Sequence, residues 1–596
     1  MKIELAPIRT IFGIDLRTLA LFRILLGVYI LIDLAMRSRD LIAHYTDAGV
    51  MPRSVQIDHL YVTTWSLHLA NGAAWFQGLL FGIAGLAALC LIAGWRTRFM
   101  TAVSWGLMLS VQNRNTFVLS GEDNLALLLL FWALFLPLGA RYSVDAALDK
   151  TQYFVKNEYA SIATGALLLQ GMSMYFFSAL LKTHPIWFKD GTAVHYALQL
   201  DYLVTAFSLW FRQFQGLMTG LTYYVYLLEL VGPFLIFSPL FHRTLRMVFM
   251  VAFMTMHLAF LLFLEIGFFP LISIIMNLTF LPGWMWDAIA RKLPRRTKAD
   301  LHMWFDHGCD FCEKTCCFLR VFLFLPATQI RPAQDDPDIG AELEARNSWV
   351  VTNGNERHYK FQALALVVRA SPVFFPVGWL LNRAIFRNTG NRIYDWVGRN
   401  RKTLSKVSRN WFAWRTSPPR FGVVTQLLAA IFLCFITVQN VATLPWSGVS
   451  PLPASFKMVR QALGLFQHWT MFAPFPEMTS PWPVIEGELA DGTIVDVYYG
   501  NVGLADFEKP AVVSTVFENY RWRKFLSNLE DQTYDDSPQF LALTYGQYLC
   551  RTWASFDPAM PALKSFVIYF QIERSQPPGL PKEVETRQVW NHECSG

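Results

Sequence analysis

Nine stretches of the chain stay apolar over roughly the length a helix needs to cross a bilayer, about 20 residues for a core of about 30 Å. Eight precede Arg291: Thr18–Met36, Ala73–Gly94, Phe99–Val111, Leu125–Ala140, Ser161–Leu181, Met218–Leu240, Val248–Leu264 and Ile266–Leu281. The third is short and the last two nearly fuse. The ninth, Phe421–Val441, stands alone after a long polar interval. The pattern predicts an eight-span membrane domain over residues 1–290 and a further span at 421–441. Lys and Arg gather in cytoplasmic loops. The short loops give a small basic excess for an N-terminus inside, and the block Arg291, Lys292, Arg295, Arg296 and Lys298 at a membrane exit fixes that choice. Residues 285–420 are then expected in the cytoplasm, and everything after the ninth span outside.

The polar intervals carry other periods. Met303–Phe305 predicts a short strand, and a helix follows from Cys309 to Leu325. Ser348–Thr352 and His358–Phe361 flank Asn353-Gly354-Asn355, a tight-turn signal that predicts a hairpin. The apolar run Ala363–Leu381 contains Arg369, Pro372 and Pro376 and reads as buried helices of a soluble unit. In the tail, 444–596, Val484–Leu489 and Thr493–Tyr499 flank Asp491-Gly492 and predict a second hairpin.

Composition fits this mixture. Of 596 residues 54% are hydrophobic and 16% charged, where a soluble domain carries about 25% charged residues. Ordinary soluble enzymes and disordered chains are excluded. The net charge of +7 belongs to loops and membrane exits, so no nucleic-acid partner is read from it. Met1–Arg17 has no apolar core behind a basic start and no small-residue cleavage site, so it does not read as a cleaved signal peptide.

Four of the eight cysteines fall together: Cys309, Cys312, Cys316 and Cys317. Cys309-Asp-Phe-Cys312 lies between a predicted strand and a predicted helix. At a helix start the free N–H groups favour a thiolate, which suits Cys309 as nucleophile and Cys312 as resolving thiol. A zinc or iron–sulfur site using Cys316, Cys317 or His307 is an alternative, as are structural cysteines. No metal site is assigned.

Phe305-Asp-His-Gly-Cys-Asp-Phe-Cys312 resembles the start of the DCC family of thiol–disulfide oxidoreductases, as do Ser348-Trp-Val-Val-Thr-Asn-Gly354 and Ile393-Tyr-Asp-Trp-Val-Gly-Arg-Asn-Arg401. The resemblance implies a thioredoxin-like domain over 300–410, with Asp306, Cys309 and Cys312 at the motif positions. The family usually has Gly directly after the Asp. Here His307 stands there and Gly308 follows.

Charges inside a bilayer cost about 2.5–3.5 kcal/mol on insertion scales and mark function by default. The apolar stretches contain Arg23, Asp33, Glu229 and His257, with Glu265 at a span end. Pairing between helices is the plainer account of each. Lys182 closes the fifth span beside Trp187 and a Gly turn. Desolvation disfavours a charged lysine, which suits a general base. A snorkelling interface lysine is the plainer reading.

Asp15-Leu-Arg-Thr-Leu-Ala-Leu-Phe-Arg-Ile24, Tyr45-Thr-Asp-Ala-Gly-Val50, the Gln170–Ala193 segment, His257 with Glu265-Ile-Gly-Phe-Phe269, and Phe280-Leu-Pro282 resemble the horizontally transferred transmembrane domain family, related to vitamin K-dependent gamma-carboxylase. In that carboxylase a lysine at the place of Lys182 deprotonates vitamin K hydroquinone, and the ensuing epoxidation drives CO2 addition to peptide glutamate. His257 matches a carboxylase histidine. A histidine ahead of the carboxylase's fourth span has no counterpart in Gly121-Glu-Asp-Asn124, and its large lumenal domain is not recognisable here. Trp469-Thr-Met-Phe-Ala-Pro474 and Trp482 resemble the tail that often follows this membrane domain. Cys550 and Cys594 lie in that tail, where an oxidising exterior allows a disulfide.

The expected protein is mainly α: a polytopic helix bundle, an inserted thioredoxin-like α/β domain and a small β-rich external domain, in an inner or plasma membrane. Its expected sites are Lys182 and His257, supported by Glu229 and Trp187, and Cys309 with Cys312, supported by Asp306. The expected partners are the bilayer, a reduced quinone such as vitamin K hydroquinone, and a cytoplasmic thiol protein. The alternative is a non-catalytic scaffold or lipid-binding protein.

Overall fold

The computed structural model describes residues 6–151, 153–292, 301–417, 421–531, 539–577 and 580–594. Arg295, Arg296 and Lys298, on which the expected orientation leans, lie outside the described residues. The first eight apolar stretches hold helices α1 (Leu16–Arg39), α2 (Ala74–Ala93), α3 (Thr97–Arg114), α4 (Gly121–Ala133), α5 (Ile162–Leu181), α6 (Gln215–Leu235), α7 (His242–Phe263) and α8 (Phe269–Asn277).

Several of these helices fit an integral membrane protein. Among the described residues α1, α2, α5, α7 and Val423–Ala442 are long and apolar enough to cross a bilayer. Phe269–Phe280 and Gly283–Lys292, bent by 89°, add a sixth if counted as one span. Length and composition alone set this number, and it leaves out the shorter or less apolar helices of the bundle. Helix α4 has 13 residues, a rise of about 20 Å, and is buried along its length. Helix α8 has 9 residues. Apolar sequence alone does not separate a lipid-facing helix from one enclosed by its neighbours.

The inserted segment forms a four-stranded sheet from β1 (Leu301–Phe305), β2 (Gln329–Pro332), β3 (Val350–Asn353) and β4 (Glu356–Tyr359). The order is β2-β1-β3-β4, with β1 parallel to β2 and the other pairs antiparallel. Helix α9 (Asp310–Phe322) joins β1 to β2, and α10 (Pro337–Arg346) precedes β3. The β3–β4 hairpin turns at Asn353-Gly354, where Gly354 takes the left-handed φ of 62° that the turn requires. After β4 come α11 (Lys360–Ala370), α12 (Phe375–Leu381), α13 (Ala384–Arg399) and α14 (Arg401–Trp411). The run Ala363–Leu381 is only partly buried, which corrects the expectation. Ala363, Ala365 and Val367 enter the core, but Val377, Trp379 and Leu380 are exposed. Gly378 lies so close to the Arg369 backbone that no Cβ would fit, so α12 packs through its smallest residue and turns its large ones outward.

The last expected span is α15 (Val423–Ala442), followed by α16 (Ala454–Leu463). Ala429 and Ile436 of α15 join the core of the bundle. The tail folds as one antiparallel sheet of β5 (Thr479–Leu489), β6 (Ile494–Asp496), β7 (Asn501–Val502), β8 (Leu563–Arg574) and β9 (Glu583–Glu593), in the order β9-β8-β5-β6-β7. It also holds α17 (Tyr520–Asp531) and α18 (Phe540–Thr552), which the sequence pattern did not separate from the β-rich reading.

The tail and the insert grip different loops. The tail's core takes in Ala43, Val50 and Met51 after α1, Val118 after α3, and Leu200 and Tyr202 after α5. The insert instead meets the loops after α2 and α4. Trp95 Nε1 donates to the Trp411 carbonyl (3.0 Å), the Tyr142 and Phe324 rings are 4.8 Å apart, and Lys150 pairs with Glu313 (3.0 Å). The tail thus packs on loops that follow α1, α3 and α5, and the insert on loops that follow α2 and α4, the pattern expected when the two occupy opposite ends of a bundle of alternating helices.

The intramembrane charges of α1 serve this assembly. Arg23 has no carboxylate partner in hydrogen-bond contact; its guanidinium donates to the carbonyls of Ile92 (3.3 Å), Leu138 (3.2 Å) and Tyr142 (2.6 Å). Asp33 bonds Arg37 (2.7 Å) and reaches Arg521 of α17 (2.6 Å). Asp123 of α4 pairs with both arginines. A buried four-membered charge network therefore fastens the tail to the bundle.

Candidate functional site

A cavity of about 320 Å³ opens between α5, α6, α7, α8 and the start of the tail. Its wall is mostly aromatic and aliphatic, with few polar groups, the usual character of a site for an apolar ligand. Lys182, Glu229, Trp187 and His257 all line it.

Lys182 follows the last turn of α5, and its backbone N–H donates to the Ala179 carbonyl (3.1 Å). Its side chain folds back toward the helix. Nζ donates to Ser178 Oγ (2.7 Å), forms an ion pair with Glu229 of α6, and lies 5.0 Å from the centre of the Trp187 ring. The side chains of Lys182 and Glu229 are 2% and 8% exposed. A snorkelling lysine would reach for water, and this one does not. Trp187 is held in turn by a hydrogen bond from its Nε1 to the Phe472 carbonyl (3.2 Å).

His257 of α7 lines the same cavity. Asn277 Nδ2 donates to the Ser273 carbonyl (2.8 Å) and to the Tyr175 hydroxyl (2.7 Å). The hydroxyl therefore gives its own proton to His257 Nε2 (2.7 Å). That leaves the ring proton on Nδ1, which is buried without a hydrogen-bond partner. Stacking of Tyr175 on Phe253 (4.1 Å) fixes the relay.

Sequence reasoning missed part of this site. Tyr175, Ser178 and Asn277 are ordinary residues within helices, and nothing in their spacing marks them. Trp469, Met471 and Phe472 line the cavity from the tail. The motif Trp469–Pro474 was the one available signal for them, and it carried no information on place.

The second candidate site is the turn into α9. Cys309 is the N-terminal cap: its Sγ accepts from Cys312 N–H (3.3 Å), and the two cysteines form a disulfide. Cys309 is buried and Cys312 half-buried. Asp306 holds the turn, accepting from Gly308 N–H (3.2 Å) and Gln334 Nε2 (3.2 Å). His307 is exposed, and neither it nor Gly308 needs a left-handed φ, so the extra residue is absorbed without strain. Burial opposes ionisation of Asp310, but hydrogen bonds from Lys314 (2.6 Å) and Trp414 (2.6 Å) outweigh it and hold the carboxyl below its ordinary value.

Cys316 and Cys317 are free and buried, and burial pushes both thiols up. Cys316 belongs to the insert's core. Among the described residues no group of three His, Cys, Asp or Glu is placed to hold a metal ion. In the tail Cys550 and Cys594 form a disulfide that ties the end of α18 to β9. Of the two cysteines in apolar helices, Cys90 is half-buried and Cys434 is exposed.

Comparison with known families is consistent with both halves. Residues 13–284 match the family model of the HTTM domain. Residues 303–407 match that of the DCC1-like thiol-disulfide oxidoreductase. No curated protein matches the chain, and no solved structure does. The chain thus joins, in one polypeptide, a segment that matches the HTTM domain to a segment that matches the DCC1-like thiol-disulfide oxidoreductase.

Proposed function

We propose that this protein is a membrane-embedded redox enzyme whose bundle cavity takes a quinone-like lipid, with Lys182 as the base, and whose Cys309–Cys312 pair exchanges disulfides with a cytoplasmic thiol protein. The observation that carries the first half is the Lys182–Glu229 ion pair, buried in the wall of an otherwise aromatic cavity.

The residues present fit such a ligand. Rings of Tyr175, Trp187, Phe260, Phe269 and Trp469 offer flat apolar surface. His257 Nδ1–H is a donor with no protein acceptor, so it suits a ring oxygen. A reduced quinone, when bound, supplies two electrons and two protons. Lys182 must then hold or release a proton at Nζ. Passing that proton to Glu229 leaves a neutral amine beside a neutral acid. The exchange removes two charges from a low-dielectric wall, which is the direction burial favours. Ser178 keeps the amine in place through either state. Tyr175 and Asn277 are positioning residues that hold His257 in one tautomer.

For the insert, the sheet order and the cysteine pair capping α9 support a thioredoxin-like reading. Its two sulfurs sit at the opposite end of the bundle from Lys182. That placement argues against direct contact between the centres, so transfer from one to the other would need a diffusing lipid or a partner protein. In the orientation expected from the basic loops, the insert faces the cytoplasm and the tail the exterior.

The test is oxidation of vitamin K hydroquinone by dioxygen, supplied as the electron acceptor, in the presence of the purified full-length protein, with Lys182→Ala beside wild type. A fall in turnover of at least a hundredfold is expected for loss of a general base. Equal turnover in both would remove Lys182 from the chemistry. If the variant also keeps its co-purifying lipid, the scaffold or lipid-binding reading takes over.

A further inference from the structure

A second cavity, of about 330 Å³, lies where α15 ends and α16 folds back beside it. Its character is the reverse of the first. Gln439 and Thr443 of α15, Ser450, Lys457 and Arg460 of α16, and His468 line it, and no carboxylate does. Gln439 is 3% exposed, yet among the described residues neither its Nε2 nor its Oε1 has a hydrogen-bond partner. Arg460 Nε is likewise buried and unbonded, while its guanidinium lies 5.0 Å over the Phe466 ring. A buried amide left unpaired is costly. The unpaired Gln439 amide and the unbonded Arg460 Nε, with Lys457 in the same cavity, describe a site built for a polar anion.

The surroundings narrow the ligand. Helix α15 is a membrane-span candidate, and Gln439 sits in its last turn. Phe456 of α16 stacks on Phe435 of α15 (5.0 Å), which presses α16 against the helix end. The nearby apolar residues Trp446, Val449, Met458 and Phe466 are all exposed. Aromatic and basic residues at the end of a span mark the bilayer–water boundary, the level of lipid phosphates. From these observations we infer that the Gln439–Lys457–Arg460 cavity binds a phosphate-bearing anion, with the exposed apolar rim receiving the chains when that anion is a lipid headgroup. The site is joined to the first cavity through Gln467, whose Oε1 accepts from Trp469 Nε1 (3.0 Å). It does not depend on the redox reading of that cavity.

The test uses delipidated full-length protein in detergent and three probes: dihexanoyl phosphatidylglycerol, inorganic phosphate and dihexanoylglycerol, which lacks phosphate. Binding is followed by native mass spectrometry. Phosphatidylglycerol is expected to bind, and the double variant Lys457→Ala/Arg460→Ala to weaken it at least tenfold. Gln439→Leu is expected to weaken it several-fold, with an unchanged melting profile reporting intact folding. Inorganic phosphate binding as tightly as the lipid would support the anion site with free phosphate as its source. Binding of dihexanoylglycerol as tight as phosphatidylglycerol, or equal affinities in wild type and double variant, would overturn the proposal.

Discussion

The Lys182 cavity and the Cys309–Cys312 turn are built in opposite ways. The cavity gathers side chains from four helices and from the tail, between Met174 and Phe472, and no two of its polar groups gain meaning until the bundle closes. The dithiol lies within a single turn of chain, at the cap of one helix. In the first, chemistry depends on burial: a charge pair in an apolar wall has no reason to exist except through its neighbours. In the second, it depends on local backbone, because the cap geometry itself places the Cys312 N–H on the Cys309 sulfur. A local site survives transplantation into new surroundings, whereas an assembled one ties its activity to the stability of the whole bundle.

The sharpest way to break that comparison is Cys309→Ser. Loss of one sulfur removes the disulfide altogether, so thiol–disulfide exchange by the full-length protein is expected to vanish. Redox titration with mass mapping checks it, reading the Cys309–Cys312 pair as the redox-active one in wild type. Turnover of supplied hydroquinone by the same variant is expected to stay at the wild-type level, since the two centres lie at opposite ends. A parallel collapse of both activities would show that the ends are not independent.

Next in size is the buried pair. Lys182→Met leaves Glu229 as an unpaired carboxylate in an apolar wall, a loss of about 3–5 kcal/mol for a broken buried pair. Glu229→Gln leaves the lysine unpaired and is expected to cost a similar amount. The double variant Lys182→Met/Glu229→Gln removes both charges of the pair from this wall. It is expected to regain most of the stability while recovering none of the turnover. Thermal unfolding and hydroquinone oxidation, measured on all three, separate the two effects. If the double variant is as unstable as either single one, the pair is not what the wall is built around.

The same contrast explains what was legible in the sequence. Cys-x-x-Cys at a helix start, and Asn-Gly and Asp-Gly between alternating strands, are relations within a few residues, and each appears near its expected place. The β3–β4 strands moved by about two residues, the ordinary uncertainty of an element's end. Charges in apolar stretches were legible as costs but not as pairs. Asp33 finds Arg521 at a sequence separation of 488, and no local period connects them. Tyr175 and Asn277 were invisible because a tyrosine or asparagine in a helix is equally at home in packing. Trp469–Phe472 was visible as a motif only, since its role comes from tail residues entering the mouth of a bundle. The apolar runs of α4 and α12 look alike in sequence and end in different surroundings. The first is enclosed by helices, the second is turned out by Gly378, and hydropathy records neither.

The smallest expected effect lies where the tail meets the loop that follows α5. Asp201 of that loop is bonded by Arg212 of the bundle and by Lys509 and Lys582 (3.2 Å) of the tail. Lys509 and Lys582 also bond Glu573 of β8, at 2.5 Å each. Burial alone would raise the Asp201 carboxyl, but Arg212 and the two lysines overcome it and hold the group well below the ordinary aspartate value. A carboxyl depressed in the folded state stabilises it above the unfolded value, about 4, and that stabilisation is lost as pH falls through the folded one. Unfolding of wild type is therefore expected to become easier as pH drops from about 5 towards 3. Asp201→Asn should start less stable at neutral pH and then show a shallower slope over that range. Because Leu200 and Tyr202, on either side of Asp201, enter the tail's core, the melting of tail tryptophans is the signal to follow. Parallel slopes for wild type and variant would mean that the core, and not the charge cluster, carries this junction, which would make it resemble the dithiol turn less than the Lys182 wall in what it asks of its surroundings.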